Sequence, residues 1–186
     1  MTIAVFASGS GTNFEHLVEA CRKENWPLPI AVLISDRSDA QALARAKRLG
    51  IPSHTFSPGT FANKAAYEQK VLEVLRQYGV TWIVLAGYMR LIGSTLLEAY
   101  RGRIVNIHPS LLPAFRGKDA VGQALANGVK ITGVTVHFVD EGMDTGPIIA
   151  QRAVEVSETD HHESLTKKIQ AVEHSLYPYI VRMLIE

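Results

Sequence analysis

Short apolar runs alternate with amphipathic stretches through the first half of the chain. The apolar runs are typical of β-strands buried on both faces. Between the first two runs, Phe14, Leu17, Val18 and Cys21 recur three and four positions apart, which indicates a helix with one buried face. The runs predicted to form strands lie at residues 3–7, 30–34, 54–56 and 82–86.

Two more helices are predicted from the residues at their ends. Asp39 is a suitable N-cap for an alanine-rich helix that ends near Gly50, and another helix covers 63–78 with Gly79 as its stop. Strands that alternate with helices form parallel sheets, because each helix returns the chain to the same edge. The predicted fold class is therefore α/β, a doubly wound, mostly parallel, Rossmann-like sheet with helices on both faces and ligands at the carboxyl ends of its strands.

The second half is less regular, but it carries three strand signals and two helix signals. Strands are expected at 104–108, 132–139 and 148–156, a short helix at 120–127, and a long closing helix from 162 onward. No repeat, low-complexity tract or linker divides the chain. We therefore predict a single domain over residues 1–186.

Charge and cysteine content narrow the functional classes. The 19 basic and 18 acidic residues leave a net charge of +1, whereas nucleic-acid-binding proteins usually carry a basic excess. The single cysteine, Cys21, excludes an intramolecular disulfide and suits a reducing compartment. The first residues lack the pattern of a signal peptide, and no apolar run is long enough to cross a membrane. We expect a cytoplasmic protein that binds neither nucleic acid nor membranes.

A glycine-rich loop at residues 8–13 joins the first predicted strand to the first predicted helix. Such a loop lets the backbone approach an anion, and the following helix offers unpaired N–H groups and the positive end of its dipole. The loop matches neither a Walker motif nor the full dinucleotide fingerprint. It suits a phosphate site, and equally a tight turn in which Thr12 or Asn13 caps the helix.

Asn106 and His108 stand at the end of the strand predicted at 104–108. Alternate side chains of a strand share a face, so the two point the same way, about 7 Å apart. His108 can exchange a proton near neutral pH and Asn106 can donate to a developing oxyanion, which together suit acyl-type transfer. The alternative is a hydrogen-bonded core asparagine beside an incidental histidine.

Asp144 lies in a glycine-bearing loop that follows an extended strand. Such a loop can bring a carboxylate to a histidine and favour the imidazolium, although many turn aspartates only bond their own backbone. The adjacent His161 and His162 have no other metal-binding residues beside them, and Cys21 occupies an apolar helix position. Neither a metal site nor a cysteine nucleophile is expected.

Four motifs occur in order along nearly the whole chain. They are ASGSGTN at 7–13, LAGYMR at 85–90, NIHPSLLP at 106–113 and DTGP at 144–147. Together they closely resemble the folate-dependent formyltransferases, for which the motif at 106–113 is highly specific. The glycine loop is similar to that of the branch that formylates glycinamide ribonucleotide.

This resemblance implies an enzyme of purine biosynthesis and one-carbon metabolism, with its own set of site residues. The donor would be 10-formyltetrahydrofolate, acting as a co-substrate, and the acceptor the amine of 5-phosphoribosylglycinamide, with no metal, in a monomer or homodimer. The N-terminal half would bind the phosphorylated substrate, and the C-terminal half the folate and the catalytic groups. The implied catalytic residues are Asn106, His108 and Asp144; the acceptor-binding residues are Gly11, Thr12, Asn13 and Glu173; the donor-binding residues are Lys64, Met89, Arg90, Leu91, Ile92, Asn106, Val139, Asp140 and Glu141.

Two departures and three rival functions accompany the resemblance. Segment 116–121 has no histidine where some relatives carry one or two, so it receives no role, and the chain stops at Glu186, before the longer tail of many members. Formyltetrahydrofolate deformylases share the trio but usually add an N-terminal domain, and methionyl-tRNA formyltransferases add a basic C-terminal domain. The third rival is a non-catalytic regulator that binds a nucleotide or folate.

The strand predicted at 132–139 carries one more histidine of interest. Thr135, His137 and Val139 share a face by alternation. If this strand neighbours the one at 104–108, His137 could support Asn106 from behind. A histidine that merely packs, or lies at the surface, is the alternative.

Overall fold

One seven-stranded sheet runs through the computed structural model, which describes all 186 residues. Across the sheet the strand order is β3-β2-β1-β4-β5-β6-β7. The strands are β1 (Thr2–Phe6), β2 (Ile30–Ser35), β3 (Ser53–Thr55), β4 (Val80–Leu85), β5 (Ile104–His108), β6 (Ile131–Phe138) and β7 (Ile148–Glu155). The first five pair in parallel, whereas β6 and β7 pair antiparallel. The predicted mostly parallel α/β sheet is confirmed.

Helices cover both faces of this sheet, as predicted, and each face has its own apolar core. One core has 26 buried residues and includes side chains of the first, second and last helices, and the other has 16 and includes side chains of the third and fourth. The helices are α1 (Thr12–Lys23), α2 (Gln41–Leu49), α3 (Lys64–Gln77), α4 (Ser94–Ala99), α5 (Ala120–Ala126) and α6 (His162–Ile185). None of them is both long and apolar enough to cross a membrane.

Some local predictions were wrong or incomplete. Ala40, not Asp39, is the N-cap of α2, because the Asp39 carboxylate is turned to the guanidinium of Arg37. The six-residue helix α4 was not predicted, since only one of its side chains, Leu96, is fully buried. The antiparallel direction of the last two strands was also not predicted, because apolar runs carry no signal of direction.

The strand order places a crevice at the carboxyl ends of β1 and β4. From β1 the chain moves outward through β2 to β3, and then returns to β4 on the other side of β1. Loops that leave neighbouring strands in opposite directions open a gap between them. The glycine loop follows β1 at this gap, and segment 87–93 follows β4.

Candidate active site

A cavity of about 520 Å³ lies at this crevice and extends to the end of β5. Its walls include the glycine loop, the segment after β4 and the loops that follow β5 and β6. Asn106, His108 and Asp144 all line it, although they come from two separate parts of the chain. The predicted convergence of these three side chains is confirmed, while their catalytic roles stay a prediction.

The two ring nitrogens of His108 have different surroundings. Nε2 lies 2.8 Å from the carbonyl oxygen of Phe115, which can only accept, so Nε2 carries a hydrogen. Nδ1 lies 3.4 Å from Oδ2 of Asp144. The histidine is 5% exposed, so this carboxylate acts with little screening by water. Nδ1 is therefore the ring nitrogen that faces the negative charge.

Asp144 is held in place by the backbone of the loop after β5. The amide of Gly117 donates to Oδ2 of Asp144 at 2.9 Å, and the Arg116 side chain donates to the Asp144 carbonyl oxygen at 3.3 Å. Asp144 itself has φ of 54°, in the left-handed region. This backbone conformation costs a non-glycine residue on the order of 1–3 kcal/mol. The surrounding bonds offset that cost and aim the carboxylate at His108.

Asn106 contacts a second histidine, which lies on the neighbouring strand. Asn106 pairs with His137 across β5 and β6, and Nδ2 of the amide lies 3.3 Å from Nε2 of the ring. Nδ1 of His137 donates to the carbonyl oxygen of Phe138 at 2.7 Å, which leaves Nε2 as an acceptor in the neutral ring. The contact expected between these two residues is confirmed.

His137 favours its neutral form despite a nearby carboxylate. The ring is 2% exposed, and this burial lowers the pKa of His137. Oδ1 of Asp144 lies 3.8 Å from Nε2, but an ion pair there would require a proton on the nitrogen that accepts from Asn106. Because burial outweighs that distant charge, His137 serves as an acceptor and fixes the orientation of the amide.

The glycine loop begins α1 without any side-chain cap. Gly11 is the N-cap residue and has φ of 74°, so neither Thr12 nor Asn13 caps the helix as the turn interpretation required. A Cβ atom on Gly11 would lie 2.6 Å from Cβ of Ala42, which shows how closely α2 presses on the loop. The first N–H groups of α1 therefore remain available at the cavity wall, where they favour an anion.

Asn13 and Glu173 meet at the same end of the cavity. Asn13 Nδ2 donates to Oε2 of Glu173 at 3.1 Å, which links α1 to α6 across 160 positions of sequence. Burial raises the pKa of Glu173 to about 7, and the bond from Asn13 opposes this only in part. The buried Oδ1 of Asn13 has no hydrogen-bond partner. Polar atoms left in this state next to a cavity favour a ligand that bears hydroxyl groups.

The residues predicted to bind the donor divide into two groups. Those that line the cavity are Met89, Arg90, Leu91, Ile92, Asn106, Val139 and Asp140. Lys64 and Glu141 lie outside its lining, because Lys64 begins α3 beside Gly93 and Glu141 is exposed in the loop after β6. Met89 is 66% exposed and Leu91 46%, so this wall presents apolar surface to an incoming ligand.

Several lining residues had not been assigned a role from the sequence. The segment 117–121 and three side chains of α6, Thr166, Gln170 and His162, all reach the cavity. Segment 116–121 was given no role because it contains no histidine, whereas Gly117 acts through its backbone amide. On α6, Thr166, Gln170 and Glu173 lie four and three positions apart, a helical spacing that would have grouped the first two with Glu173.

The fold and this cluster define an α/β group-transfer enzyme with an amide donor, an imidazole and a carboxylate in one cavity. A family model described as formyl transferase matches residues 1–181. The chain therefore belongs to the formyl transferase family. No three histidine, cysteine, aspartate or glutamate side chains are grouped so as to hold a metal ion.

Relatives in sequence and in structure agree with this assignment. The chain is 55% identical to the phosphoribosylglycinamide formyltransferase of Bacillus subtilis (strain 168) over 182 residues, which cover 98% of this chain and 93% of the relative. It is 36% identical to the Escherichia coli (strain K12) protein of the same name, over 97% of this chain and 85% of that one. The crystal structure of phosphoribosylglycinamide formyltransferase from Bacillus halodurans superimposes with a TM-score of 0.97 at 53% identity, covering 100% and 96% of the two chains.

Proposed function

We propose that the chain transfers the formyl group of 10-formyltetrahydrofolate to the amine of 5-phosphoribosylglycinamide, in purine biosynthesis. The observation that carries this proposal is the cavity in which Asn106, His108 and Asp144 meet, with the uncapped start of α1 at its other end. The names and high identity of the relatives support the same reaction. The single cysteine is in keeping with a cytoplasmic location.

The acceptor is assigned to the end of the cavity formed by α1 and α6. Its phosphate would meet the backbone N–H groups of Gly11, Thr12 and Asn13, where the helix dipole favours negative charge. Its ribose hydroxyls would donate to the carboxylate of Glu173. These contacts anchor the acceptor at two points, so that its amine reaches toward β5. We propose a single domain in which the N-terminal half supplies most of this end.

The donor is assigned to the end formed by segment 89–92 and the loop after β6. The exposed apolar side chains there suit an aromatic ring system, and backbone groups near Val139 and Asp140 can bond its polar edge. Lys64 and Glu141, which lie outside the cavity lining, would contact only a part of the donor that extends beyond it. The donor is a co-substrate, and no resident cofactor is proposed.

The chemistry needs no enzyme nucleophile. The acceptor nitrogen attacks the formyl carbon, the new C–N bond forms, and the carbonyl electrons move onto oxygen. Asn106 stabilises this oxyanion through a hydrogen bond that strengthens as charge develops, and His108, when it carries a second proton, adds a nearby positive charge. As the intermediate collapses, the bond from the formyl carbon to the folate nitrogen breaks. The attacking nitrogen loses one proton and the departing nitrogen gains one. We assign the transfer of these protons to His108 and Asp144.

One assay tests the proposed reaction against its rivals. The purified protein is mixed with 10-formyltetrahydrofolate, with and without 5-phosphoribosylglycinamide, and loss of the formyl group is followed by absorbance. Loss only when the acceptor is present is the expected result. Equal loss without the acceptor would assign the protein as a deformylase, and no loss in either mixture would leave it as a binding protein.

A further inference from the structure

Segment 87–93 forms one wall of the donor end, yet it contains no helix or strand. An irregular segment keeps one conformation only where contacts from other elements hold it. Three side chains outside the segment supply such contacts. Two of them are neighbours on α3, Tyr67 and Glu68, and the third is Ser8 in the glycine loop.

Glu68 holds the carboxyl end of the segment from the buried side. Its side chain is 2% exposed, and each carboxylate oxygen accepts a backbone N–H: Oε1 from Gly93 at 2.6 Å and Oε2 from Leu96 at 3.1 Å. Gly93 is the N-cap of α4 and offers no side chain of its own. Glu68 therefore does for α4, from another helix, what a capping side chain normally does within one.

The other end of the segment is held by Ser8. The Ser8 hydroxyl accepts from the amide of Met89 at 2.9 Å and donates to Oδ1 of Asp36 at 2.5 Å. Between the two ends, the hydroxyls of Tyr67 and Tyr88 lie 2.8 Å apart. The residues assigned to the donor, 89–92, are thus held at one end by Ser8 and at the other by Glu68. Neither of these two side chains lines the cavity.

A carboxylate is an unusual choice for such a buried position. Burial raises the pKa of Glu68, although the two backbone N–H groups counteract part of this effect. Burying a carboxylate costs free energy unless hydrogen bonds satisfy it, and here two backbone N–H groups do so. Both of its bonds go to the backbone that begins α4, directly after the donor wall.

We infer that Glu68 is a positioning residue for the formyl donor: it fixes segment 89–92 in the conformation that binds the folate. This inference rests on the proposed function for the identity of the donor. Neither hydrogen bond of Glu68 involves the glycine loop or the trio. Its loss should therefore weaken donor binding selectively, and leave acceptor binding and the chemical step largely intact.

The decisive variant is Glu68→Gln, which keeps the shape but turns an NH2 group toward one of the two backbone N–H groups. Replacing a charged hydrogen-bond acceptor by an amide in this way should raise KM for 10-formyltetrahydrofolate by about tenfold or more. KM for the acceptor and kcat should change less than threefold. The Kd for tetrahydrofolate, measured by calorimetry, should rise in parallel with KM and requires no turnover.

Two controls separate positioning from general loss of stability. Glu73→Gln changes an exposed carboxylate on the same helix that pairs only with Lys70. Val154→Ala opens a buried site in the core on the opposite face of the sheet and should lower Tm without changing the ratio of the two KM values. Gly93→Ala places a Cβ atom against Oε1 of Glu68, so it should reproduce the Glu68→Gln phenotype, and the double variant should not be additive.

The calorimetric and kinetic results can overturn the positioning role of Glu68. An unchanged Kd for tetrahydrofolate in Glu68→Gln would overturn it, as would an equal rise in both KM values at a matched loss of Tm. If the wild-type protein bound tetrahydrofolate but transferred no formyl group, the proposed function would fail while the Kd comparison still decided the role of Glu68.

Discussion

The ring Nε2 of His137 lies 3.3 Å from the amide Nδ2 of Asn106, so a buried neutral histidine fixes which way that amide faces. An asparagine amide can flip, and only one orientation gives a defined N–H toward the reacting group. Since Nδ1 of His137 is itself bonded to the Phe138 carbonyl, the whole chain of contacts is anchored in the backbone of β6.

The proposed oxyanion role of Asn106 predicts a large loss of turnover. Asn106→Ala should lower kcat by about 10²-fold or more, the usual cost of one oxyanion donor. His137→Ala should lower kcat by a smaller factor, because the amide remains but is no longer held. Steady-state kinetics of both single variants and the double variant check this: the double should be no worse than Asn106→Ala. Full multiplication of the two losses would show that His137 acts independently of Asn106.

The carboxylate beside His108 should matter for the rate of transfer. Asp144→Asn removes the charge 3.4 Å from Nδ1 and should lower kcat on the order of 10²-fold, the scale of assistance by a positioned acid–base group. Steady-state kinetics with both substrates at saturation measure this loss. A kcat close to the wild-type value would remove the electrostatic role of Asp144.

Two glycines of the loop provide a matched pair of variants. Gly11→Ala forces a side chain into a backbone with φ of 74° and within 2.6 Å of Ala42, so it should displace the start of α1. A Cβ atom on Gly9 meets nothing within 4 Å, so Gly9→Ala tests the loop without that clash. We expect Gly11→Ala to lose about 1–3 kcal/mol of unfolding free energy and to raise KM for the acceptor. Urea denaturation and kinetics measure both; equal effects at the two positions would argue against the close approach as the cause.

Replacing Glu173 by glutamine should have opposite effects on stability and on acceptor binding. Its pKa is raised to about 7 in the folded state, so between about pH 4.5 and 7 the folded protein binds more protons than the unfolded chain. Its contribution to stability is therefore present at low pH and is lost as pH rises toward 7. Glu173→Gln does not titrate, and at pH 8 it should be more stable than wild type by about 1–3 kcal/mol.

The same substitution should weaken acceptor binding, because the amide cannot accept two ribose hydroxyls as a carboxylate does. Chemical denaturation at pH 5 and pH 8, with KM for the acceptor measured at pH 8, tests both parts. The stability difference should nearly vanish at pH 5. A Glu173→Gln protein that is less stable than wild type at pH 8 would contradict the linkage.

The sequence alone was sufficient for the elements whose signal is local. Apolar runs and helical periodicity predicted most strands and helices, because burial imposes a period of two or 3.6 on the residues of one element. The convergence of Asn106 and His108 followed from alternation along a single strand. The helix α4 was not predicted, because it has only six residues and no capping residue of its own. Its N-terminus is capped by Glu68 from another helix.

The amino-acid sequence therefore determined the α/β class, the glycine loop and the pair on β5, all of which depend on residues close together in the chain. Only the tertiary structure decided that β6 returns antiparallel to set His137 against Asn106, that the Gly117 amide aims Asp144, and that Glu173 reaches Asn13 across 160 positions. The physical reason is that these contacts join distant segments through single polar groups. Which groups meet depends on the packing of the whole sheet and its helices, and a local sequence pattern does not indicate it.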